Sequence, residues 1–143
     1  MSLVGSVIAE QIRMHFTDDV TPAGSRITCD PAPMDTDEDW LVVCPDSEEV
    51  VAKVTSYLAE EGFEWEGDTQ HYQQVCANGF MSWRNGHLNF IITKNADFGK
   101  RHKAATEICR RLNLMMKDQR IMLFQAVLYG NIWGDNLPMG DRT

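Results

Sequence analysis

Apolar residues recur at three-and-four spacing near the start of the chain: Val4, Val7, Ile8, Ile12 and Phe16. That spacing predicts an amphipathic helix over residues 3–16, with this stripe facing inward. Asp18-Asp19 ends it. Val20 to Ala23 reads as a short extended approach, because Pro22 disfavours helix at the residue before it. Trp40 to Cys44 is a continuous apolar run bounded by Pro45, the pattern of a short buried strand. A second helix begins at Asp46, read as its N-cap with Glu49 at the third helical position. Its inward stripe is Val50, Val51, Val54, Tyr57 and Leu58, and Gly62 closes it.

Phe63 to Glu66 predicts another strand, and residues 67–78 carry no clear period and read as loop. Phe80 to Arg84, Asn85-Gly86 and His87 to Thr93 together predict a hairpin, since Asn-Gly between two strand-like runs favours a tight two-residue turn. Two more helices follow. The first covers residues 97–113, with Phe98, Ala105, Ile108, Cys109 and Leu112 inward. The second covers 118–129, with Ile121, Phe124, Val127 and Leu128 inward and Gly130 at its end. The tail, 130–143, reads as loose. Helices interleaved with strands predict an α/β protein of the α+β kind, a mixed β-sheet covered by helices on one face. At 143 residues the economical organisation is a single domain over residues 1–143.

Charge changes this picture by its distribution. The net charge of −8 argues against a general nucleic-acid binder, although a specific nucleic-acid acceptor stays open. From Asp30 to Asp68 the charges are acidic except Lys53, whereas between Arg84 and Arg120 the bases outnumber the acids. An acidic part for metal and a basic part for phosphate is the division a nucleotide–metal site needs. No apolar run approaches the ~20 residues of a membrane span, and the N-terminus lacks a secretory pattern. Cys29, Cys44, Cys76 and Cys109 are scattered without zinc-site spacing, consistent with free thiols in a cytoplasmic protein.

The candidate chemistry lies in Ala23 to Val43, AGSRITCDPAPMDTDEDWLVV. Asp37 and Asp39 are two apart, so at the strand period both point to one face. Adjacent carboxylates repel unless a cation neutralises them, and Mg2+ favours one or two carboxylates completed by phosphate and water. Gly24-Ser25 is a candidate phosphate-binding turn, and Arg26 a candidate phosphate contact. An EF-hand reading of Asp35, Asp37 and Asp39 fails, because Trp40 stands where that loop needs glycine and Asp46 where it needs glutamate.

Gly24-Ser25-Arg26, a loop, then Asp37-Glu38-Asp39 leading into Trp40-Leu41-Val42-Val43 resembles the signature of the nucleotidyltransferase superfamily. The resemblance covers roughly residues 3–112, and the later part is similar to small stand-alone members found in bacteriophages. It implies a nucleotidyltransferase fold in which Gly24 and Ser25 hold the triphosphate of an NTP, with ATP the first choice. Asp37 and Asp39 would hold Mg2+ (or Mn2+), two ions in the family, while a nucleoside monophosphate passes to a hydroxyl acceptor that the sequence does not identify.

Asn89 stands where the family carries a third catalytic carboxylate. It offers a carbonyl oxygen but neither negative charge nor a basic site. Glu64, Glu66 and His87 are the candidates to replace that group. The alternative is a catalytically weakened binding module, or an antitoxin-like module with a helical protein partner. His15, His71, His87 and His102 read as surface or packing residues, and Lys94, Lys100 and Arg101 as solvated ends of a helix that lie within reach of phosphate.

Overall fold

The computed structural model describes residues 2–34, 36–66 and 80–130. His71, Cys76, the stretch read as loop over 67–78 and nearly all of the tail lie outside them. Five strands form one mixed sheet: β1 (Val20–Ala23), β2 (Glu38–Val43), β3 (Glu64–Trp65), β4 (Phe80–Asn85) and β5 (Leu88–Thr93). Their order across the sheet is β1-β2-β5-β4-β3. β2 and β5 run parallel at the centre, and every other neighbouring pair is antiparallel. The predicted hairpin is the β4–β5 pair, with Gly86 at φ 63 in its turn. β2 begins at Glu38, two residues before the apolar run, so Asp39 lies inside the strand and Asp37 just ahead of it.

Among the described residues five helices accompany the sheet: α1 (Leu3–His15), α2 (Ser25–Thr28), α3 (Glu48–Glu60), α4 (Ala96–Leu112) and α5 (Lys117–Tyr129). The mixed α+β architecture is therefore as expected, but the helices are shared between both faces. Ile8 and Ile12 of α1 and Val54 and Leu58 of α3 pack with Trp40, Val42, Phe90 and Ile92 on one face. Phe98 of α4 and Leu128 of α5 pack with Leu41, Val43 and Phe80 on the other. The central strands are apolar at both parities (Trp40-Leu41-Val42-Val43), so leaving either face uncovered would expose a row of apolar side chains. Gly99 lets α4 come this close, because a Cβ there would sit 2.7 Å from Val43 Cγ2.

Several local expectations shift for long-range reasons. On α1 the buried residues are Gly5, Ile8, Ala9 and Ile12, while Val4 and Val7 are exposed. The helix is turned because Glu38, 3% exposed, accepts from Ser2 N–H at 3.0 Å and from the Trp40 indole at 3.0 Å, drawing the Ser2–Gly5 edge onto the sheet. A Cβ on Gly5 would overlap that carboxylate. Ser47, not Asp46, caps α3: its Oγ accepts from Val50 N–H at 3.1 Å, while Asp46 takes a left-handed φ of 52 and donates its N–H to Lys94 O. Ile108 and Leu112 on α4 are exposed and Val127 on α5 is only half-buried, because these helices bury their faces toward the sheet only where they overlie it.

Candidate functional site

Strand register assembles the site. Ala23 is paired with Asp39, Asp39 with Asn89, and Asn89 with Arg84, so residues distant in sequence lie in one row across four strands. Gly24 follows Ala23 directly and turns the chain into α2 with φ 79, a conformation that suits glycine. A Cβ on Gly24 would overlap the Asp39 carboxylate, so the glycine-serine turn abuts the acidic strand. Within the turn, Ser25 Oγ and Thr36 Oγ1 share a hydrogen bond at 2.6 Å. Arg26 donates to Thr36 O at 2.6 and 3.1 Å and lies 4.0 Å from Glu38, so it ties the loop to the turn. The bonds inside α2 begin at the Ile27 N–H, as the first N–H groups of any helical turn have no partner within it.

The row opens into a cavity of about 380 Å³ between the sheet and α2, α4 and α5. Gly24, Ser25, Asp37, Asp39 and Asn89 all line it, and so do Arg84, Lys117 and Arg120. The predicted pair and the predicted turn therefore share one wall. Arg26 does not line it. The face that carries Asp39 is roofed by α4 and α5, so the site is a cavity and not an open sheet surface.

Electrostatics mark Asp39. Burial pushes its carboxyl up to about 6, with the charge of Asp37 acting in the same direction and the Asn89 bond opposing. Asn89 Nδ2 donates to Asp39 Oδ1 at 3.0 Å, which leaves Asn89 Oδ1 buried without a partner. Asp37 is paired with the Arg84 guanidinium at 2.9 Å, and Arg84 also holds Glu66 at 2.7 Å. His87 Nδ1 lies 3.6 Å from Asp37 with its side chain 77% exposed. Of the candidate replacements for the third carboxylate, Glu66 reaches the cavity, whereas Glu64 and His87 stay outside its lining. Lys94 is paired with Glu48 and Arg101 with Asp97, while Lys100 is exposed on the surface of α4.

The oxygen donors suit a hard divalent cation. Asp37 and Asp39 are two carboxylates on one wall, one of them held against its desolvation cost, while Asn89 turns its Nδ2 to Asp39 and keeps its Oδ1 buried. Among the described residues no group of three or more acidic, histidine or cysteine side chains is placed to hold a metal ion. Two carboxylates are the donor set of an ion whose remaining ligands are phosphate and water.

Among the charged and titratable lining residues, sequence reasoning passed over Arg84, Lys117, Arg120 and His102 as site residues. Arg84, Lys117 and Arg120 were visible only as members of a basic stretch. Arg120 is fixed by bonds to Leu114 O at 2.9 Å and Met115 O at 2.8 Å, with its Nη1 3.2 Å from Cys29 Sγ. His102, one turn after Phe98, shares the inward face of α4, and that spacing was the available signal. Comparison with protein-family models, with curated proteins and with solved structures finds no match.

Proposed function

We propose that this protein is a small metal-dependent nucleotidyltransferase that binds an NTP and transfers its nucleoside monophosphate to a hydroxyl acceptor, releasing pyrophosphate. The observation that carries the reading is the contact of the Gly24 turn with the Asp39 carboxylate on the wall of a cavity that Asp37 also lines. The turn supplies N–H groups for phosphate oxygens, and Lys117 and Arg120 supply positive charge on the same lining. Asp37 and Asp39 would hold Mg2+ or Mn2+, which when bound supplies charge neutralisation and Lewis acidity at the reacting phosphate. Arg84 offsets the charge of Asp37, and Asn89 holds Asp39 in place. We place its work in the reducing cytosol on the strength of three free, buried cysteines, Cys29, Cys44 and Cys109. Consistent with this, no helix among the described residues is long and apolar enough to cross a membrane.

A second reading is favoured by Asn89 and Arg84 together: the first brings no charge opposite Asp39, and the second occupies Asp37. On that reading the protein binds nucleotide, or a protein partner, without turnover. Incubation with each labelled NTP and Mg2+ or Mn2+ separates the two. Pyrophosphate release or self-labelling that disappears in Asp37→Ala supports the enzyme. Nucleotide binding without release supports the module, and absence of NTP binding refutes both nucleotide readings.

A further inference from the structure

The cavity is divided along its length. One end carries the Asp39–Asn89–Arg84 row and the Gly24 turn. The other is walled by Phe80, Ile91, Phe98, His102, Phe124 and Leu128. At this second end the rings form a continuous wall. Phe80 stacks on Phe98 at 5.3 Å, His102 lies 5.8 Å from Phe98, and Phe124 meets His102 edge-on at 5.0 Å. His102 is 7% exposed, and its Nδ1 is buried without a hydrogen-bond partner. An imidazole among phenyl rings gives up its bonds to water, and here the protein returns none at that nitrogen. Burial pushes its pKa down to about 4, so at neutral pH the ring is uncharged and carries one donor and one acceptor nitrogen.

We propose, building on the NTP reading above, that the aromatic end of the cavity is the nucleobase subsite and that His102 is the residue that discriminates among bases. An NTP is itself divided into a multiply charged tail and a flat, weakly polar ring, and the cavity offers an environment for each. Phosphate is excluded from the aromatic end by the cost of desolvating its charge, whereas a base gains from stacking against the rings. A buried neutral imidazole discriminates because a base of the wrong edge leaves the ring nitrogen it meets unpaired.

The test uses the full chain and Mg2+. Calorimetric titration compares inorganic tripolyphosphate with ATP, GTP, CTP and UTP. The wild-type protein should bind at least one NTP about tenfold more tightly than tripolyphosphate. In His102→Phe, which keeps an aromatic ring and removes both nitrogens, differences among the four NTPs should collapse to within about twofold with tripolyphosphate affinity unchanged. In the wild-type protein the His102 imidazole resonances should move with the preferred NTP and stay still with tripolyphosphate, a readout independent of whether the variant folds. Equal binding of tripolyphosphate and all NTPs, still imidazole resonances, or unaltered base preference in His102→Phe would overturn the subsite while leaving the phosphate site standing. Failure of tripolyphosphate and NTPs alike would overturn the nucleotide reading together with it.

Discussion

Replacing Asp39 by Asn should make the ligand-free protein more stable and destroy the function that Asp39 serves. The carboxyl titrates near 6 in the folded protein, raised from 3.8 by burial and by Asp37. A group whose folded pKa is raised binds more protons folded than unfolded between those two values. Stability is therefore lost as pH rises from about 4 to about 6, and the loss stays constant above. A shift of about two units corresponds to at most about 3 kcal/mol, and partial solvent screening brings that to about 2 kcal/mol. Asparagine keeps the shape and an oxygen to accept from Asn89, without the charge. By thermal melting in EDTA at pH 8, Asp39→Asn should melt roughly 5–8 °C above the parent protein. The gap should close toward pH 4. Saturating Mg2+ and NTP should reverse the order, because ligand at a hundredfold its Kd stabilises only the parent, by about 2.7 kcal/mol. A variant that melts no higher at pH 8, or by the same margin at pH 4 and pH 8, would refute the claim that Asp39 is held against a desolvation cost.

Three further substitutions probe the same geometry. Gly24→Ala puts a Cβ into the Asp39 carboxylate at a left-handed φ; it should cost at least about 1–2 kcal/mol in denaturant unfolding and weaken NTP binding in the same preparation. Asn89→Asp sets a second charge opposite Asp39. It should destabilise the metal-free protein by about 1–3 kcal/mol, recover stability with Mn2+, and raise pyrophosphate release if the missing carboxylate limits turnover. Gly99→Ala drives a Cβ against Val43; overpacking of this kind costs about 1–3 kcal/mol in melting experiments, and displacement of α4 should weaken NTP binding as well.

The chain's local patterns determined most of the elements, although the short helix Ser25–Thr28 stands where a turn and loop were expected. Asn85-Gly86 between two strand-like runs set the hairpin, and the two-residue spacing of Asp37 and Asp39 set them on one wall, because turn chemistry and strand parity act over a few residues. The contact between the Gly24 turn and Asp39 was foreshadowed by their spacing and made real by β1 pairing with β2. Tertiary structure alone decided the rest. The stripe of α1 was turned by Glu38 reaching Ser2 from another element, and helices covered both faces because the central strands are apolar at both parities. Arg84 and Asn89 joined Asp39 only through the order β1-β2-β5-β4-β3, and His102 became part of a wall only where α4 and α5 overlie the sheet. Periodicity tells a side chain which way to point along its own element; its neighbour comes from another element, chosen by register and packing across the whole sheet.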